Sequence, residues 1–140
     1  MKVTLSDEAL QYIALFEEET DATVRDCLLE DDRVVFLVAP GEMGRAIGPG
    51  GRHVQAVERR VDRDVDVVEA ADTPEAFVEN ALAPAVVRGV TISDQGEETV
   101  AYVEVVEADR GVAIGSGGRT IETARRLARR HVDVDDIQLT

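Results

Sequence analysis

The sequence predicts an α+β protein, mixed α/β in the broad sense, built as two consecutive copies of one small unit with the element order α-β-β-α-α-β. Each unit is expected to fold as a three-stranded sheet packed against helices. Two observations lead there. Shifting the chain against itself by 67 residues lays Ala46-Ile47-Gly48-Pro49-Gly50-Gly51-Arg52 on Ala113-Ile114-Gly115-Ser116-Gly117-Gly118-Arg119. The same ungapped register matches Arg59 with Arg126, Arg63 with Arg130 and Val65-Asp66-Val67 with Val132-Asp133-Val134. That makes eleven identities in the 22 positions from 46 to 67, where chance supplies about one or two. The second observation is that helical and strand periodicities follow one another in the same order in both halves. Domains are therefore expected at residues 1–71 and 72–140.

In the first unit Ser6 is a helix N-cap signal, followed at helical spacing by Leu10, Ile13, Ala14 and Glu17, with Tyr12 and Phe16 as an i,i+4 aromatic pair. A helix over 7–18 follows. Thr23–Leu29 and Arg33–Val38 are β-branched and apolar runs around Glu30-Asp31-Asp32, a hairpin closed by Pro40-Gly41. Next come a short helix near 42–47, the glycine loop, a helix carried by Val54, Val57 and Val61, and a strand over Asp64–Val68. The second unit repeats the order. Thr73 takes the place of Ser6, and Pro74 opens a helix over 74–82. Strands near 86–93 and 99–106, a short helix over 110–114, the second glycine loop, a helix over 119–130 and a strand over 132–139 complete it. Only Ala70-Ala71-Asp72 separate the copies. So short a linker is expected to hold the two loops in fixed relation.

Composition narrows the function. The 44% hydrophobic content suits a packed core, and no apolar run approaches the roughly 18 residues of a membrane span. The acidic, amphipathic amino terminus is unlike a secretion signal, so a cytoplasmic protein with no membrane partner is expected. Cys27 is the only cysteine and reads as a small buried apolar residue, and with His53 and His131 it gives too few ligands for a structural metal. Neither glycine loop has the spacing of a dinucleotide or P-loop site, and no nucleophile-base set stands out, so no catalytic residue, cofactor or enzymatic activity is expected. His53 and Thr120 occupy equivalent positions, which makes His53 a surface helix residue.

The net charge of −14 argues against nucleic acid until its distribution is considered. Residues 43–63 carry five arginines against Glu58 and Asp62, and residues 110–130 carry six against Glu122 alone. Positive charge is thus confined to two islands, each holding one glycine loop. Lys2 is the only lysine, and the excess of Asp and Glu resembles the acidic proteins of salt-loving archaea.

The loops read Ile47-Gly48-x-x-Gly51-x-x-Val54 and Ile114-Gly115-x-x-Gly118-x-x-Ile121, each between two helices. This pattern resembles the I-G-x-x-G signature of KH domains, and the element order is similar to that of two tandem type II KH domains over nearly the whole chain. In that fold the loop clamps the backbone of about four nucleotides. The resemblance implies RNA-binding roles for Ile47, Gly48, Pro49, Gly50, Gly51 and Arg52 with Arg59 and Arg60. In the second copy it implies them for Ile114, Gly115, Ser116, Gly117, Gly118 and Arg119 with Arg125 and Arg126. Two such units filling a chain of this size resemble the KH pair of the NusA family in its short archaeal form, since 140 residues leave no room for the additional domains of bacterial members. What that implies is single-stranded RNA binding in transcription termination or antitermination, with RNA polymerase or the elongation complex as a further partner. A ribosomal or ribosome-assembly KH protein, and an adaptor whose KH modules bind no RNA, are the alternatives. One departure is that Pro49 and Ser116 stand where family members often carry lysine, leaving Arg52 and Arg119 as the nearest cations. The five aromatics occupy core-like positions, so a mainly aliphatic groove is expected.

Overall fold

The structure, a computed structural model, describes residues 3–140; Met1 and Lys2, which open the first expected domain, lie outside the described residues. The described chain divides into two compact units, Val3–Ala70 and Ala71–Thr140. The first contains α1 (Asp7–Thr20), β1 (Val24–Leu29), β2 (Arg33–Val38), α2 (Met43–Ile47), α3 (Arg52–Val61) and β3 (Asp64–Glu69). The second contains α4 (Pro74–Ala81), β4 (Val87–Asp94), β5 (Thr99–Val105), α5 (Arg110–Ile114), α6 (Arg119–His131) and β6 (Asp136–Leu139). The strand orders are β1-β2-β3 and β4-β5-β6. In each sheet a hairpin pairs antiparallel and the last strand joins the middle one in parallel. The two helices between those strands supply the crossover that a parallel pair requires. This is the mixed α/β fold expected, with helices packed on two three-stranded sheets.

The leading helix of each unit is set by its cap. Ser6 Oγ accepts from the Ala9 N–H at 3.1 Å, and Thr73 Oγ1 accepts from the Ala76 N–H at 3.2 Å. The buried side of α1 differs from the expected stripe. Ala9, Phe16 and Thr20 are buried while Leu10 is 49% exposed and Ala14 is exposed. Phe16 decides the rotation, because its ring packs on Phe36 of β2 with centroids 4.3 Å apart. Burying a phenylalanine fully against a partner ring outweighs burying one leucine. Cys27, Val34, Val38, Ala46, Val57 and Val61 complete this core. In the second unit Phe77, Leu82, Val103, Ala113, Leu127 and Ile137 are buried.

The copies do not keep one register from end to end. The Thr23 N–H donates to Glu42 at 3.1 Å just as the Val86 N–H donates to Asp109 at 2.8 Å, which makes these pairs counterparts. Up to that point the second copy has lost residues, since α4 has 8 where α1 has 14. The net loss between Thr73 and Val86 is four residues, and the hairpin regains them, three in strands of 8 and 7 residues against 6 and 6 and one in the turn between them. The 67-residue offset is thereby restored at the glycine loops, then lost again. α6 runs 13 residues against 10 for α3, as the buried run Ile121, Ala124, Leu127 and Ala128 extends the helix. Left-handed Asp62 (φ 54°) is the C-cap of α3, whereas α6 is capped by Val132 (φ −133°) with left-handed Asp133 (φ 56°) just beyond it. The sequence match of Val65-Asp66-Val67 with Val132-Asp133-Val134 is therefore coincidental. Val132 and Asp133 form the turn after α6, and β6 starts at Asp136 instead of 132. Ile137, paired with Ala101, is the counterpart of Val65, paired with Val34. Arg130 lies inside α6 whereas Arg63 follows α3, so these two are not equivalent either.

Candidate nucleic-acid interface

Each loop is a tight turn between two helices. The Gly48 N–H donates to the Gly44 carbonyl at 2.9 Å, ending α2, and the Gly51 N–H donates back to the Gly48 carbonyl at 3.1 Å. Between them stand Pro49, whose ring presets φ, and Gly50 at φ 61°. The second loop repeats this at 2.9 Å and 3.0 Å, with Ser116 in place of Pro49 and Gly117 at φ 62°. Gly48 (φ 78°, ψ 169°) and Gly115 (φ 80°, ψ 169°) sit in a backbone region that is essentially glycine-only.

The glycines divide into two kinds. A Cβ on Gly48 would lie 2.4 Å from the His53 ring, and one on Gly115 would lie 2.3 Å from Thr120 Oγ1. These glycines let a side chain five residues ahead fold back and brace the turn. Gly50 and Gly117 would meet nothing within 4 Å, so the outer face of each turn is open to approach. His53 is accordingly no bystander. Its Nδ1 donates to the Arg45 carbonyl at 2.7 Å, tying the start of α3 to α2, and the residue is half-buried.

Behind each turn a helix begins without a cap. Gly51 and Gly118, both left-handed, are the N-cap residues of α3 and α6, and neither helix has a side-chain cap hydrogen bond. α1 and α4 are capped by Ser6 and Thr73, whereas α2 and α5 share with α3 and α6 the lack of a side-chain cap hydrogen bond. The first N–H of α3 and of α6, on Arg52 and Arg119, donates to the Pro49 or Ser116 carbonyl of the turn, and the positive end of the helix dipole beyond it is a setting that suits an anion.

The flanking side chains sort by partner. Pro49, Gly50, Ser116 and Gly117 are exposed, Gly51 and Gly118 half-buried. Ile47 is half-buried and Ile114 is 39% exposed. Arg52 and Arg59 are exposed and have no ion-pair partner among the described residues, and Arg119 and Arg126 are exposed on α6. Arg60 is engaged by Glu19 at 2.8 Å and Glu18 at 3.4 Å on α1. Arg125 is engaged more fully, by the Asp136 carboxylate at 2.8 Å, the Ile137 carbonyl at 2.9 Å and Glu122. It fastens α6 to β6. Burial alone would raise the Asp136 carboxyl, but hydrogen bonds from Gln138 and the Ile137 N–H, with Arg125, hold it below the usual carboxylate range. An open recess on α3 is lined by Arg59 and Arg63 together with Glu58, Asp62 and Asp64, a mixture of charge unlike the glycine turns. Of the aromatics, Tyr12 and Tyr102 are half-buried and the three phenylalanines are buried. No helix among the described residues is long and apolar enough to cross a membrane.

Residues 11–73 match the family described as KH domain, and residues 74–140 match the one described as NusA-like second KH domain. Fold and loops thus define a protein of two tandem KH domains. The chain is 64% identical over 139 residues to the "Probable transcription termination protein NusA" of Halococcus morrhuae, covering 99% of both. It is 59% identical to that of Halobacterium salinarum over 100% of both, and 32% identical to that of Methanocaldococcus jannaschii over 99% of this chain and 75% of the relative. A crystal structure of APE1850 superposes with a TM-score of 0.83 at 29% identity, covering 97% of this chain and 100% of that one. The chain belongs to the NusA family, and its acid-rich composition fits the company of Halococcus and Halobacterium.

Proposed function

We propose that this protein holds a single strand of RNA in its two glycine turns and acts in transcription termination or antitermination. The observation that supports this most is the coincidence, in both copies, of an open-faced glycine turn with a helix start that no side chain caps. A phosphate can approach the main chain at Gly50 and Gly117 because no Cβ stands there, and it would take the place of the missing cap. Arg52 and Arg119, first in their helices, supply the nearest positive charge, with Arg59 and Arg126 further along. Arg60 and Arg125 serve mainly the fold. The work is binding without a catalytic step, carried out in the cytoplasm at RNA polymerase or its elongation complex. The short linker keeps both turns on one strand by raising the local concentration of the second site.

Single-stranded RNA of roughly ten nucleotides should bind much more tightly than one of five, and duplex RNA weakly. The pair P49D and G50D should reduce the long RNA to the affinity of the short one. The pair S116D and G117D should do the same, and all four together should abolish binding. The Cβ of an aspartate at 50 or 117 finds open space, and aspartate tolerates left-handed backbone, while Pro49 and Ser116 are exposed. Unchanged affinity in the fourfold variant would move the adaptor reading ahead, and preference for structured ribosomal RNA over a single strand would favour the ribosomal one.

A further inference from the structure

β4 contains no buried residue, whereas every residue of β2 is buried. It is an edge strand, so one side of its backbone presents N–H and C=O groups that no strand of its sheet pairs. Its inward side chains Val90 and Ile92 are only half-buried although the residues paired with them, Val103 and Ala101, are fully buried. Element lengths explain the difference. α4, with 8 residues, is about 12 Å long, while β4, also 8 residues, spans about 27 Å. In the first unit the proportions are reversed, with 14 residues of α1 over 6 of β1. A short helix over a long strand leaves the edge uncovered.

Two apolar side chains flank the start of that edge. Val86 is 57% exposed and Val112 is 43% exposed, two of the four large exposed apolar side chains among the described residues. The Asp109 carboxylate takes the Val86 N–H, and Val112 lies on the same side of α5 as Asp109, three residues on. The opposite side of α5 carries Arg110 and Ile114, and Arg110 reaches the Thr140 carbonyl at 2.7 Å, beyond β6 on the other edge of the sheet. Val112 therefore belongs to the β4 side. The counterparts in the first unit are Thr23 and Arg45, both polar, so the apolar pair belongs to the second copy alone. Around the edge five exposed acidic residues, Asp94, Glu97 and Glu98 at the hairpin tip with Glu104 and Glu107, outnumber the one exposed cation of the strand, Arg88.

We propose that the β4 edge, with Val86 and Val112, is the docking surface for an extended segment of a protein partner that adds to the sheet as a further strand. Pairing runs from Val90 to Asp94, because the irregularity between Val87 and Gly89 twists the strand's beginning out of line. The partner segment alternates apolar residues, which complete the cover over Val90 and Ile92, with lysine or arginine facing the acidic rim. RNA does not suit the surface, since its phosphates would meet carboxylates. In molar salt the charge contribution is screened and main-chain bonding with apolar contact remains.

The test uses the full chain in molar potassium chloride, titrated with a short synthetic peptide alternating valine and lysine and followed by backbone amide NMR and hydrogen exchange. The expected result is a shift at Val86 and Val112 and slower exchange of the outward β4 amides between Val90 and Asp94. When the titration is repeated at about 0.15 M salt, where charges are less screened, the same peptide with glutamate for lysine should bind more weakly. The uncharged double variant V86S and V112S should bind the lysine peptide about tenfold more weakly while its RNA affinity stays unchanged. Shifts that fall elsewhere, equal binding of both peptides at the lower salt, or perturbation of these amides by RNA would each overturn the proposal.

Discussion

The glycines of the turns make the sharpest residue-scale prediction. Gly48→Ala and Gly115→Ala must place a methyl where His53 or Thr120 already lies, in glycine-only backbone, at a cost of about 2–4 kcal/mol. Gly50→Ala and Gly117→Ala meet no atom and carry only the left-handed penalty, about 1 kcal/mol. Denaturant unfolding of the four variants should separate them into those two pairs. The sequence showed that these glycines matter, and it could not show that they matter for two reasons, because the brace from His53 exists only once the turn has folded. Arg60 and Arg125 are similar cases. On a helical wheel they look like solvent-facing cations, and their partners Glu18, Glu19 and Asp136 come from other elements. Cys27 agrees with its expected burial, at 4% exposure, and burial, with the Asp26 charge behind it, pushes its thiol from 9.0 up to about 12. Between those values the native protein keeps a proton that the unfolded chain has lost. Stability should therefore fall as pH rises above 9, by up to about 1.4 kcal/mol per unit. The slope should flatten in Cys27→Ala, and native Cys27 should resist thiol reagents at pH 8.

At the scale of elements, the order of helices and strands was legible because caps and periodicities mark it locally. Lengths were less so. The expected strand over 132–139 starts at Asp136 because the apolar run on α6 carries the helix a turn further than its counterpart. A repeated Val-Asp-Val concealed this, since identical tripeptides say nothing about which is turn and which is strand. The junction of α6 with β6 yields a prediction. Arg125→Ala should cost about 1–3 kcal/mol, as it takes the guanidinium donor from the Ile137 carbonyl and from Asp136, which keeps only Gln138 and the Ile137 N–H. Because the folded Asp136 carboxyl titrates below its ordinary value, its contribution is present above the unfolded pKa and is lost as pH falls through the folded one. The acid limb of unfolding should begin at higher pH in Arg125→Ala than in the unmodified chain. Caps give a smaller effect. Ser6→Ala and Thr73→Ala should each cost about 1 kcal/mol, measurable by the same unfolding curves.

For the molecule as a whole, a charge of −14 on 140 residues makes self-repulsion a property of the entire surface. The melting temperature followed by circular dichroism should rise from dilute buffer to molar potassium chloride, where the screening length shrinks to about 3 Å. An unchanged melting temperature would contradict that reading. Composition made this legible without any coordinate, whereas the exposed edge of β4 depends on a helix and a strand of unequal length lying side by side. One further consequence follows from His53 and Thr120 filling the space beside Gly48 and Gly115. A turn already wedged into shape has no rearrangement to await when RNA arrives. Rapid-mixing traces should then be single exponentials whose rate climbs in proportion to RNA concentration without levelling off, and His53→Ala should introduce a ceiling set by how often the slackened first turn regains its form.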